Sequence, residues 1–154
     1  MPKCLTKYHG EIEYEDDSVF HFARGLFGFE EETRFLPIQI PAAHPIVFLQ
    51  SLSNRNLCFV ALPVFVVNRQ YRLSVSPEDL ALLGLPPDRQ PRIGDEVLCL
   101  TLITVQPNRP TTANLMAPLI VNLHTREAMQ AIASEQEYSH QYEFLPSTED
   151  AVCS

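Results

Sequence analysis

Four cysteines, five histidines and a run of three glutamates are the side chains with which this chain could do chemistry. Cys4, Cys58, Cys99 and Cys153 lie far apart and form no C-x-x-C pair, so spacing encodes neither a dithiol redox centre nor a zinc site. The histidines are equally scattered. His21 stands between Phe20 and Phe22 as a strand histidine does, and His44 and His124 sit beside turns. No G-x-S-x-G, phosphate-loop or H-E-x-x-H signature occurs. Gly25 and Gly28 form a lone pair in the phenylalanine-rich turn "GLFGFEEE", with no lysine to hold a phosphate. Glu30, Glu31 and Glu32 are consecutive, which points them in different directions and does not suit paired carboxylates in one cleft. The expectation is a protein without catalytic residues, cofactor or metal.

A binding role would then rest on surface shape and charge. Acidic groups recur at Glu11, Glu13 and Glu15, at Asp16 and Asp17, and at Glu30 to Glu32; the aromatic cluster is Phe27, Phe29 and Phe35. Clustered aromatics in a turn ordinarily plug a core, so an exposed Phe27 would mark a partner site. With 11 basic against 19 acidic side chains, the net charge of −8 repels polyanions at long range and attracts a basic protein.

The elements that must position these residues are short. The 154 residues suffice for one domain with a real core, and 45% of them are hydrophobic. No apolar run approaches the ~20 residues of a membrane span, and no signal-like segment opens the chain, so a reduced cytosolic protein is expected. Residues 11–15 alternate polar and apolar as a half-buried strand, residues 16–18 read as a turn, and residues 19–23 as a second strand. Together these suggest an early hairpin, with a preceding strand from Cys4 to Tyr8 turning at Gly10. The runs "RFLPIQI", "PIVFLQS", "LCFVALPVFVV" and "YRLSV" are β-rich and bounded by Pro, Asn, Ser or Arg. In "SPEDLALLGL", Ser76 can cap a helix, Pro77 suits its first position and Gly84 its end. "VLCLTLITVQ" alternates with both faces apolar, as a strand covered on two sides does. "TTANLMAPLIVNLHT" keeps a strand period, with Asn114 and Asn122 at strand ends and Pro118 demanding an edge or a bulge. "TREAMQAIASEQEY" has helical propensity. The tally is a mainly β, compact antiparallel barrel-like domain with one or two short helices, over residues 1–145, followed by a flexible tail at 146–154.

Several of these pieces, in order from about Thr6 to Tyr138, resemble the FliW family of bacterial flagellar assembly factors. The pieces are "TKYHGEIEY", "GLFGFEEETRF", "PIVFLQS", "LGL" after the helix, "LCLTLITV" and "TANLMAPLIVN"; the last, with "GFEEETRF", is the most specific. The resemblance implies a β barrel without catalytic chemistry, and a strand over Arg126 to Ala133 in place of the helix that propensity suggests. It implies binding to flagellin as a cytoplasmic chaperone, and to CsrA, a dimeric RNA-binding repressor of flagellin translation. CsrA would be bound beside its RNA surface, its RNA affinity would fall allosterically, and flagellin would compete. The chain departs from many family members in carrying Phe27 where they have proline. On this reading Phe27, Phe29, Glu30, Glu31 and Glu32 are the partner contacts, the chain is a monomer, and neither nucleic acid nor membrane is bound directly. Two rivals are a small-ligand-binding barrel, which needs an open interior with converging polar groups, and an OB-like nucleic-acid-binding domain. The second would need a basic groove, for which Arg69, Arg72, Arg89 and Arg92 are the available cations.

Overall fold

The computed structural model describes residues 1–133 and 138–144, and the tail expected at 146–154 lies outside them. In chain order the strands are β1 (Lys3–Leu5), β2 (Glu11–Glu13), β3 (Phe20–Phe22), β4 (Arg34–Ile38), β5 (Val47–Ser51), β6 (Cys58–Pro63), β7 (Val97–Thr104), β8 (Thr112–Ala113), β9 (Leu119–Asn122), β10 (Glu127–Gln130) and β11 (Tyr142–Glu143). Two short helices, α1 (Val64–Val67) and α2 (Pro77–Leu82), lie between β6 and β7.

Neighbouring strands run β7-β6-β5-β4-β3-β10-β9, and β9 pairs back onto β7, which closes a barrel of seven strands. Closure depends on the length of β7. Its first half pairs with β9 from Val97–Asn122 to Leu100–Leu119, while its second half pairs with β6 at Leu100 to Leu102. The barrel is antiparallel except where β10 runs parallel to β3. Closing the sheet leaves no free edge around the ring, the main aggregation hazard of a β protein.

Alternation decides which side chain faces in. Leu100, Leu119 and Val121 point into the barrel with Phe20, Phe22, Phe35, Leu49 and Ala61, and this interior is packed solid with side chains. Such packing leaves no lumen for a ligand. On the outer face Val97, Ile120 and Met129 meet Leu80, Leu83 and Leu85 from α2 and its exit. Cys99 meets Val64, Tyr71 and Leu115. Both faces of β7 are therefore covered, as its sequence implied.

The prolines fall where the ladder tolerates them. Pro37 faces Leu49 of β5 but lies beyond the reach of β3, whose pairing on β4 stops at Phe35. In the run 112–122, both ends lie along β7: Ala113 opposite Ile103 and Leu119 opposite Leu100, so three steps on β7 are met by six on the run. The surplus forms a bulge that contains buried Pro118, whose carbonyl accepts the Ala131 amide at 3.0 Å. Asn114 Oδ1 accepts from the Ala117 amide at the start of the bulge, and Asn122, closing β9, bonds His124 N and reaches Leu83 O. The expectation for these residues was sound.

Other expectations are corrected. The early hairpin is β1 with β2, and β2 does not pair with β3, which sits between β4 and β10. The apolar run through Val67 breaks at Pro63 into helix α1, and residues 71–75 form no strand. Residues 127–130 are a strand, as the family resemblance implied and propensity did not, because β10 is held between β3 and β9. α2 begins as expected: Ser76 Oγ accepts from the Asp79 amide at 3.2 Å, with Pro77 in the first turn.

Candidate functional site

The segment between β3 and β4 folds back sharply on itself. Gly25 adopts φ +65, and a Cβ placed there would stand 2.4 Å from the Phe29 carbonyl oxygen and 2.6 Å from Glu30, so only glycine permits the chain to fold back on itself. Leu26 and Phe29 then exchange both backbone hydrogen bonds, at 3.2 and 2.7 Å, around a two-residue tip. Gly28 at φ +85 supplies the left-handed residue that a type II tip needs. Leu26 plugs the barrel at 1% exposure, which ties the tip to the core.

That inward plug turns the next residues outward. Phe27 is 52% exposed and Phe29 41%, while Glu30 and Glu31 are exposed beside them. Phe29 packs edge-on against Phe59 at 5.2 Å, Phe59 touches Phe35 at 5.9 Å, and Phe35 touches Phe22 at 5.6 Å, so a file of rings runs from the surface into the core. Phe59 also lines an open groove of about 430 Å³ together with Leu102, Ile103, Arg109, His140 and Glu143. The aromatic tip and this groove are continuous through one ring.

The three glutamates are not equivalent. Glu30 Oε1 accepts from the Gly28 amide at 3.3 Å, and Glu31 is open to solvent. Glu32 is half-buried, and its Oε2 accepts from Ser51 Oγ at 2.7 Å and from Ser53 Oγ. These two hydroxyls, Ser53 the larger influence, hold its carboxyl below the usual carboxylate range. Across the loop, buried Gln130 of β10 accepts the Phe27 amide on Oε1 at 2.8 Å and donates from Nε2 to Ala117 O at 3.3 Å. Phe27, Phe29, Glu30 and Glu31 are thus all exposed on one loop, whereas Glu32 is turned to its own chain. Gln130, Phe59, Ser51 and Ser53 complete the arrangement and carry no sequence signal, since each is ordinary in its own strand or turn.

Among the described residues no group of three or more His, Cys, Asp or Glu could hold a metal ion. Burial raises the Cys58 thiol to about 11 and the Cys99 thiol to about 12, which keeps both protonated. Two of the four arginines considered for nucleic acid are occupied: Arg89 forks onto Glu96 with two bonds of 2.7 Å, and Arg92 pairs with Asp95 and Glu96. Among the described residues no helix is long and apolar enough to cross a membrane.

These features define a small closed β barrel with a filled interior, two external helices and an exposed aromatic, acidic loop. The model of the family described as FliW protein matches residues 3–144. The flagellar assembly factor FliW of Syntrophomonas wolfei is 32% identical over 148 residues, covering 96% of this chain and 91% of that one. The factor of the same name from Bacillus subtilis is 30% identical, covering 87% and 90%. A crystal structure of the flagellar assembly factor FliW superposes with a TM-score of 0.81 at 30% identity, over 96% of this chain and 99% of the other. The chain belongs to the FliW family.

Proposed function

We propose that this chain acts in flagellar assembly as a non-catalytic, cytoplasmic, monomeric partner-switching protein that binds flagellin and the translational regulator CsrA. The observation that carries the reading is an aromatic tip held in solvent on a barrel with no lumen: half of Phe27 is exposed on a loop whose fold is otherwise closed. Rings kept in water at this cost in apolar exposure are the residues on which protein interfaces concentrate their binding energy.

Electrostatics supports the assignment of partners. Glu30 and Glu31 flank the rings, and the chain carries 19 acidic against 11 basic side chains, so an RNA-binding protein with a positive surface is steered toward it. The groove beside Phe59 mixes apolar side chains (Phe59, Leu102, Ile103) with polar ones (Arg109, Gln141, Glu143), a lining that suits an amphipathic flagellin segment. Phe29 of the tip packs on Phe59, which lines the groove, so a large partner seated on one crowds the other, as the mutual exclusion of a switch requires. Each tenfold gap in affinity corresponds to about 1.4 kcal/mol, so modest differences suffice when flagellin concentration swings widely.

Titration calorimetry of the purified chain with CsrA, with flagellin, and with one added to a preformed complex of the other tests the proposal. Binding to each, with displacement in the third experiment, is expected. Heat from neither partner removes the function.

A further inference from the structure

We propose that Gln130 and Glu32 are positioning residues that clamp the two flanks of the loop between β3 and β4, holding Phe27 and Phe29 out in a binding-ready arrangement. The inference rests on the reading of that loop as a docking surface, and it reassigns Glu32 from partner contact to scaffold.

Gln130 is the polar residue in a strand whose buried neighbours are Ala128, Met129 and Ala131. An amide buried there is tolerated only if bonded at both ends. Both ends are used, and they join distant parts of the chain: Phe27 N at the loop tip and Ala117 O in the bulge before β9. The Phe27 amide lies outside the bond pair between Leu26 and Phe29, so Gln130 fixes a part of the tip that its own backbone pairing leaves unbonded. On the opposite flank Glu32 takes Ser51 Oγ and Ser53 Oγ from the end of β5 and the turn after it. Ser51 is buried and its hydroxyl also receives the Asn54 amide at 3.0 Å, so the carboxylate is tied into a turn that is itself internally bonded. Between the two clamps stand the exposed rings. Their orientation is set before any partner arrives, which lowers the ordering entropy that binding would otherwise cost.

Amide hydrogen exchange on the free protein reads the clamps without any partner. Gln130→Met keeps the side chain's length and removes both bonds; the Phe27 and Gly28 amides are expected to exchange about tenfold faster while strands β4 to β7 keep their protection. Titration with CsrA then reads the consequence. Gln130→Met and the double variant Ser51→Ala/Ser53→Ala should each weaken binding about five- to tenfold, the scale of ordering one or two side chains on association. Glu32→Gln, which keeps an acceptor for the hydroxyls, should bind close to the wild type. The opposite pattern, with Glu32→Gln weakened and the serine variant unchanged, makes Glu32 a direct charge contact and overturns the proposal. Unchanged exchange in both Gln130→Met and the serine variant overturns it as well. Phe27→Ala is the control for the underlying reading: if it binds CsrA like the wild type, the docking surface is elsewhere, while the exchange result still judges the clamps.

Discussion

Replacing Gly25 with alanine isolates the feature on which the loop's shape depends. At φ +65 an L side chain costs roughly 1–2 kcal/mol. That strain alone would be shared by Gly28, at φ +85, whose Cβ would meet nothing within 4 Å. At Gly25 the new Cβ would also stand 2.4 Å from the Phe29 carbonyl oxygen and 2.6 Å from the Glu30 backbone. Backbone cannot swing aside as a side-chain end can, so the Leu26–Phe29 pair must separate, and two bonds of about 0.5–1.5 kcal/mol net are lost. Gly25→Ala should therefore cost about 2–5 kcal/mol and Gly28→Ala about 1–2 kcal/mol. For a domain of this size the thermal midpoint falls about 2–4 °C per kcal/mol, which separates the two variants clearly. Urea unfolding of wild type and both variants supplies the numbers. Equal losses at the two glycines would refute the close approach at Gly25, and with it the described fold of the loop.

Three further outcomes follow from the same structure. Glu32's carboxyl is held down in the folded state, so its hydroxyl bonds stabilise fully above the ordinary carboxylate range near ~4.3 and are lost as pH falls through the lower folded value; the stability gap between wild type and Ser51→Ala/Ser53→Ala should be present at pH 7 and close in acid, as denaturant titrations across pH will show. Cys99, buried and pushed up to about 12, should resist a thiol-alkylating reagent at pH 8 in the native protein and react once the chain is unfolded, read by mass spectrometry of its peptide. Ser76→Ala removes the acceptor of the Asp79 amide and should cost about 1 kcal/mol in thermal unfolding without altering the barrel's far-ultraviolet spectrum.

Much of the architecture was legible because it is written locally. Helix α2 is fixed by a cap, a proline and a glycine within ten residues, and β5 and β7 by their own alternation. What failed depends on distant partners. The strand β3 looked like half of a hairpin with β2, yet its neighbours are β4 and a strand more than a hundred residues away. Residues 127–130 are strong helix formers on their own, and two flanking strands override that preference by completing the ring. The site shows the same division. Exposure of Phe27 and Phe29 could be posed from the turn sequence but not decided, since it depends on Leu26 occupying the core in their place. Three adjacent glutamates look alike in one dimension; only the approach of the turn after β5 distinguishes Glu32 from Glu30 and Glu31.

The central claim is that activity resides on the outer loop of a sealed barrel, and a double variant tests it most directly. Phe27→Ser/Phe29→Ser leaves Leu26 and the interior in place, so the barrel should unfold with near wild-type cooperativity. Calorimetric titration of this variant with CsrA and with flagellin should show affinity reduced by two orders of magnitude or more for at least one partner, about 2.7 kcal/mol, as loss of a central aromatic anchor pair does. Wild-type affinity for both partners in a correctly folded variant would contradict the account.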